Sequence, residues 1–184
     1  MTILFTSDTH FGHGNVIQYS KRPFADADEM DAALIANWNR RVQPNDTVFH
    51  IGDVSFRNAT DTGRVLDQLY GVKYLILGNH DRVIRDNKSL LGRFAEVYDY
   101  GTEIKYEGML FVLCHYPMIT WRNAHHGSFM LHGHCHGSLR YPNPGRIMDV
   151  GVDPQNYAPI SIDEVVERLS AAKFSAVDHH LIAD

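Results

Sequence analysis

Residues 72–81, "VKYLILGNHD", read as a strand that runs into chemistry. The apolar run from Tyr74 to Leu77 is too short for a core helix. It suits a strand buried on both faces, broken by Gly78 before Asn79, His80 and Asp81. Two earlier runs share this layout: "TILFTSD" (2–8) ends at Asp8 and "DTVFHIGD" (46–53) ends at Asp53. Between them lies "DADEMDAALIANWNRRV" (26–42), where Asp26 and Glu29 have the spacing of an N-cap and its N3 partner. Met30, Leu34 and Trp38 recur at i, i+4 and i+8, which predicts an amphipathic helix. A second helix is predicted over roughly residues 60–69. Strand alternating with helix points to βαβ units and an α/β fold.

After about residue 93 the pattern changes. "AEVYDYG", "TEIKYEG", "MLFVLCHYP", "SFMLHGHCHG" and "RIMDVGVD" read as successive strands joined by glycine-containing turns, with "KYEGML" as a hairpin tip. "SIDEVVERLSAA" (161–172) opens with a capping box, Ser161 and Glu164, and predicts a closing helix. The tail "KFSAVDHHLIAD" is weakly patterned, so His179 and His180 read as tail residues.

The chain has 184 residues, 44% of them hydrophobic, which is enough for one domain with a real core. A formal charge of −5 gives no general pull toward nucleic acid or anionic membrane. The only basic pair of note, Arg40–Arg41, is no footprint for long nucleic acid. Two cysteines exclude a disulfide framework and suggest a reducing compartment. The start, "MTILFTSD", has no signal-peptide pattern, and no run reaches the roughly 18 apolar residues of a membrane span. A soluble cytoplasmic protein is expected; oligomeric state is not legible.

The stretch "LCHYPMITWRNAHHGSFMLHGHCHG" (113–137) holds six of the chain's twelve histidines. Imidazole is the commonest metal ligand, and the strand ends supply the carboxylates that such a cluster lacks. Asp8 and His10 form a D-x-H pair, and His134 and His136 an H-x-H pair; in extended chain, alternate side chains share a face. Asp53 follows Gly52, which permits close approach. Mixed N and O donors of this kind suit Mn²⁺, Fe, Zn²⁺ or Ni²⁺ rather than a thiolate-rich structural zinc site.

D-x-H, then G-D, then G-N-H-D, then a strand-end histidine, then G-H-x-H, in that order from residue 8 to residue 136, resembles the calcineurin-like metallophosphoesterase superfamily, with no position replaced. The resemblance implies a two-sheet β-sandwich flanked by helices and two divalent metal ions, Mn²⁺ foremost. Asp8, His10 and His136 would hold one ion, Asn79, His115 and His134 the other, and Asp53 would bridge. His80 would sit beside the phosphate, with Asp81 orienting its ring. The chemistry needs such residues. Two cations about 3.5–4 Å apart can clamp the attacking and leaving oxygens of a phosphoester and bring the pKa of a bridging water toward neutrality. A carboxylate can bridge two ions, which an imidazole does not do, and neutral ligands leave the site net positive.

Several neighbours carry weaker expectations. Arg82, Asn15 and Arg22 are candidate substrate contacts, although Arg22 also reads as the partner of a surface carboxylate. His125 and His126, with Trp121 and Arg122, are candidates for lining the cleft. His50 and His132 read as hydrogen-bonded core residues and Cys135 as packing. Asp149 and Asp153 read as fixing loop geometry. The leading function is hydrolysis of phosphodiesters or small phosphorylated compounds, including 2′,3′-cyclic nucleotides. The alternatives are a phosphomonoesterase, or a protein-interaction scaffold on the same fold.

Overall fold

The computed structural model describes residues 1–141 and 145–173; the tail carrying His179 and His180 lies outside the described residues. Three strands, β1 (Ile3–Thr6), β2 (Thr47–His50) and β3 (Val72–Ile76), are parallel neighbours in one sheet. Their crossovers are α1 (Gly14–Tyr19) with α2 (Ala27–Arg41), and then α3 (Ala59–Gln68). After β3 come two four-residue helices, α4 (Arg82–Arg85) and α5 (Lys88–Leu91), and β4 (Glu96–Tyr98). The second sheet is built from β5 (Gly101–Tyr106), β6 (Met109–Cys114), β7 (Phe129–His132) and β8 (Ile147–Asp149). Finally β9 (Ile160–Ser161) returns antiparallel beside β1, giving the first sheet the order β4-β3-β2-β1-β9, and α6 (Ile162–Leu169) follows.

Local sequence explains these elements. Asp26 caps α2 by accepting from the Asp28 and Glu29 amides, while Glu29 reaches back to the Ala25 amide, one residue before the cap. Met30, Leu34 and Trp38 are the buried face of α2, as their spacing predicts. Ser161 and Glu164 form the full reciprocal capping box of α6. The β5–β6 hairpin pairs Tyr106 with Met109 across Glu107 and Gly108, at φ 49° and 79°. Two successive left-handed residues are what a two-residue hairpin turn requires.

One expectation is corrected by strand pairing. "AEVYDYG" reads with the strands that follow it, yet β4 pairs parallel with β3 and forms the edge of the first sheet. The divide between the sheets therefore falls at the tight Asp99–Tyr100 connection, after β4 and not before it.

Two apolar layers hold the architecture. Leu4, Val48 and Leu75 face α2 and α3, against Met30, Leu34, Trp38, Val65 and Leu66. Phe5, Phe49, Ile51 and Ile76 face the second sheet, against Phe111, Leu113, Phe129 and Leu131. At the centre Phe111 stacks between Phe5 (centroids 6.2 Å) and Phe129 (4.6 Å). The outer side of the second sheet carries a small cluster of Val112, Cys114 and Met130 under Trp121 and Ala124.

Because β1, β2 and β3 run parallel, Asp8, Asp53 and Asn79 leave the first sheet at one edge, the carboxyl edge where open α/β sheets place their sites. The parallel pair β6 and β7 delivers His115 and His134 in the same way. A Ser7–Gly151 bridge and the Gly133 amide bonded to the His115 carbonyl tie these loops together.

His50 is a core histidine as its sequence suggests. It is buried at the end of β2, with Nε2 against the Thr9 hydroxyl at 2.9 Å. Burial holds its imidazole down from 6.5 to about 3. The unfolded chain therefore takes up a proton at this residue as pH falls below 6.5, and the folded chain does not until about 3. Stability is fully present above 6.5 and declines through that window, by about 1.4 kcal/mol per pH unit for one proton. His50→Gln should flatten the fall in urea midpoint between pH 6 and 4; an unchanged slope would clear His50 of the effect.

Candidate metal centre

All seven candidate ligands lie beyond the strands, not within them. Asp8, His10, Asp53, His134 and His136 have φ of 55°, 51°, 60°, 69° and 49°. This corrects the same-face reading of D-x-H and H-x-H, which assumed extended chain. The side chains converge because the backbone turns into the left-handed region, where Asp, Asn and His are the commonest non-glycine visitors. Residues held in such regions cluster at functional sites and persist only where their surroundings enforce them.

The convergence is close. Asp8, His10 and His136 form one group, and Asp53, His115 and His134 another, each with donor atoms within 4.8 Å of one another. Asn79 joins the second group, its Oδ1 lying 3.1 Å from His115 Nε2 and 3.0 Å from His134 Nδ1. Asp53 Oδ2 stands 3.6 Å from His10 Nε2 and 3.6 Å from His115 Nε2, so one carboxylate oxygen faces both groups. Asp8 Oδ1 and His10 Nε2 are buried without a hydrogen-bond partner among the described residues. Buried polar atoms are ordinarily paired, and these two point at each other across 3.7 Å, a gap fit for an ion coordinated by both. The donor set therefore fits metal: carboxylate and imidazole on one side, carboxylate, amide oxygen and imidazole on the other.

Charge and tautomer suit ligation. Burial raises the Asp8 carboxyl, but the nearby His10 imidazole and the charges of His115 and His136 outweigh it and hold it at about 2. Burial lowers the His134 imidazole, and His115 beside it acts in the same direction, which keeps the neutral, ligating form. His115 Nδ1 lies 2.8 Å from the Ile51 carbonyl, so that nitrogen carries the proton and Nε2 faces Asp53.

Close backbone approach is needed at two glycines. A Cβ at Gly78 would lie 2.2 Å from Asp53 Oδ1, and one at Gly133 would lie 2.4 Å from Asp8 Oδ2.

Asp81 does not orient His80. Its buried carboxylate accepts from the amides of Gly78 and Asp53 through Oδ2 and of Val54 through Oδ1, each at 2.8 Å. It clamps the turn that bears Asp53 to the loop that bears Asn79. His80 is exposed; its amide donates to Asp53 Oδ1 at 2.9 Å, and its ring lies 4.8 Å from that of Phe56.

Arg22 is likewise turned inward. Its side chain has no exposed surface, and it forks onto Asp153 while donating to the Asp8 and Thr9 carbonyls. No surface of Arg22 is left for a substrate; it pairs with a carboxylate, but with the largely buried Asp153 and not with one at the surface. Asp149 and Asp153 serve loop geometry as expected, Asp149 accepting from the Gly137 and Gly151 amides. His132 is buried between the Gly133 carbonyl and the Tyr141 hydroxyl.

Two grooves flank the centre. One, of about 740 Å³, is lined by Phe56, Asn58, His80, Arg82 and Asn87 among others. The other, of about 550 Å³, is lined by Tyr19, Lys21, His134, Cys135 and His136 among others. Arg82 is thus beside His80 as its position suggests, and Asn15 is exposed on α1. Cys135 lines a groove, which corrects its reading as packing. Trp121 and Arg122 do not line either groove; Trp121 packs outside the second sheet and Arg122 pairs with Glu103. Phe56 and His13 gave no sequence signal beyond adjacency to G-D and D-x-H. Their rings stack at 3.9 Å, and Phe56 lies 5.3 Å from His10.

The model of the calcineurin-like phosphoesterase family matches residues 1–174. The chain belongs to that family, and with its two metal-ready groups it is of the metal-dependent phosphoesterase class. It is 35% identical over 178 residues to Uncharacterized protein MJ1445 of Methanocaldococcus jannaschii, covering 93% of each chain. It is 32% identical over 198 residues to the Gene 66 protein of Mycobacterium phage D29, covering 91% of this chain and 96% of that one. The crystal structure of AQ665 from Aquifex aeolicus, a protein of unknown function, superposes with a TM-score of 0.70 at 27% identity. That match covers 91% of this chain and 99% of the other.

Asp81→Ala should leave three amides without their acceptor and destabilise the metal-free protein by on the order of 3 kcal/mol in urea denaturation. A loss below about 1 kcal/mol would show that the clamp is dispensable.

Proposed function

We propose that this chain hydrolyses phosphoesters at a dinuclear centre, with Asp8, His10 and His136 on one ion, Asn79, His115 and His134 on the other, and Asp53 between them. The observation that carries the reading is the placement of one Asp53 oxygen 3.6 Å from a histidine of each group. Mn²⁺ is the first choice for these ligands, and Fe, Zn²⁺ or Ni²⁺ also suit them. When bound, such ions supply positive charge that activates a water and neutralises the phosphoryl oxygens.

The remaining roles fall to the chain's own groups. His80, exposed beside the centre and anchored through its amide to Asp53, is placed to give a proton to the leaving oxygen or to hold a phosphoryl oxygen. Phe56 is 41% exposed and backed by His13, so it offers a flat apolar face next to His80. Arg82 across the same groove pairs with exposed Asp86, a weak partner that an anionic substrate can displace. An aromatic face and a cation beside the phosphate position favour small phosphodiesters bearing a flat ring, cyclic nucleotides among them, over bare phosphomonoesters. The full ligand set disfavours a purely scaffolding role.

His80→Gln should keep its metal content and lose ~10²–10⁴-fold in turnover, the usual range for a lost general acid. If proton donation is its task, the loss should be small for para-nitrophenyl esters, whose leaving group departs unaided, and large for alkyl esters. Equal losses would assign His80 to the phosphoryl oxygens, and an unimpaired variant would remove it from the reaction.

Phe56→Ala should raise KM for 2′,3′-cyclic nucleotides severalfold and leave KM for glycerol phosphate unchanged. A parallel rise for both would count against ring recognition at this position.

A further inference from the structure

Three ligands of one group reach it from segments far apart in the chain. Asp8 and His10 follow β1, whereas His136 lies in the loop after β7. All three have left-handed backbone, so their placement depends on what holds it. One side chain touches both segments' supports. Arg22 Nη2 donates to the Asp8 carbonyl at 2.7 Å and Nη1 to the Thr9 carbonyl at 3.0 Å, within the D-x-H turn itself. Its Nε and Nη2 each donate to Asp153 at 2.8 Å, a two-point fork. Asp153 Oδ2 in turn lies 2.7 Å from His136 Nδ1. A carboxylate only accepts, so Nδ1 carries the proton and Nε2 is left with its lone pair on the Asp8 side, 3.9 Å from Oδ1.

The Asp153 loop is fixed to the same turn through the backbone, since the Val152 amide donates to the Ser7 carbonyl at 3.0 Å. The second group has supports of its own: Asp81 holds the Asp53 turn, and the Ile51 carbonyl holds His115.

We propose that the Arg22–Asp153 pair is the positioning element of the Asp8–His10–His136 group, and that its loss weakens metal binding at that position while leaving the other unchanged. The inference rests on the dinuclear reading. Arg22 and Asp153 are positioning residues, because they act through the ligands and touch neither metal nor substrate. Partners of this kind behind metal ligands change affinity by about 10–100-fold when removed.

The test is Mn²⁺ titration by calorimetry, with elemental analysis of the loaded protein, on wild type, Arg22→Lys and Asp153→Asn. Arg22→Lys keeps the charge and loses the fork. Asp153→Asn keeps the shape and loses the charge. Removing one member of a buried ion pair can unfold a protein, whereas replacing both with apolar groups is often tolerated. Arg22→Met/Asp153→Leu therefore serves as the variant that retains the fold, which the melting temperature of the metal-free protein checks. Expected are two ions in wild type. Each variant should bind one ion at wild-type affinity and the second about 10–100-fold more weakly. Two ions at wild-type affinity in all variants would overturn the proposal and leave the dinuclear reading standing. So would equal weakening of both ions in a variant with an unchanged melting temperature, which would assign the pair no preference between sites. A wild type that takes up a single ion would sink both.

Discussion

A single carboxylate oxygen, Asp53 Oδ2, faces two sets of candidate ligands, and most of the surrounding architecture serves to keep it there. Asp53 has left-handed backbone at φ 60°, flanked by Gly52 at φ 89°. Its own amide and that of Val54 are held by Asp81. The other oxygen, Oδ1, accepts from the His80 amide, so the residue that carries the candidate proton donor is tied to the candidate bridge. The space for this comes from Gly78, where any side chain would collide with Asp53. The parallel order of β1, β2 and β3 is what brings the three loops to one edge in the first place.

Much of this was legible in the sequence because it is local or periodic. Strand runs ending in Asp8, Asp53 and Asn79, the spacing of Met30, Leu34 and Trp38, and the Ser161–Glu164 box each depend on near neighbours only. The convergence of the seven candidate ligands followed from the order of motifs and their resemblance to a family, not from geometry. Alternation along a strand does not produce it: five of the seven, Asp8, His10, Asp53, His134 and His136, have left-handed backbone that no period reveals. Pairings over long separations were also hidden. Nothing near Arg22 announces Asp153, 131 residues away, and nothing near Asp81 announces that it grips Asp53 and Val54 instead of the ring of His80. Edge position is equally nonlocal: nothing in the order of strands along the chain says that β4 closes the edge of the first sheet.

The buried electrostatics divide between structure and chemistry. His50, bonded through Nε2 and kept neutral by burial, and His132, bonded at both ring nitrogens, lie inside the core. Asp8 is buried, charged and short of hydrogen-bond partners at Oδ1. An isolated buried carboxylate is strongly disfavoured unless a cation or donors compensate it. That imbalance, beside an unpartnered His10 Nε2, is the physical reason a cation belongs between them.

The most direct test of the central claim is a crystal structure of the Mn²⁺-loaded protein with anomalous diffraction recorded at the metal edge. The account predicts two peaks about 3.5–4 Å apart, the usual spacing of two-metal sites, with Asp53 coordinating both. A single peak, or two peaks with Asp53 bound to only one, would contradict it.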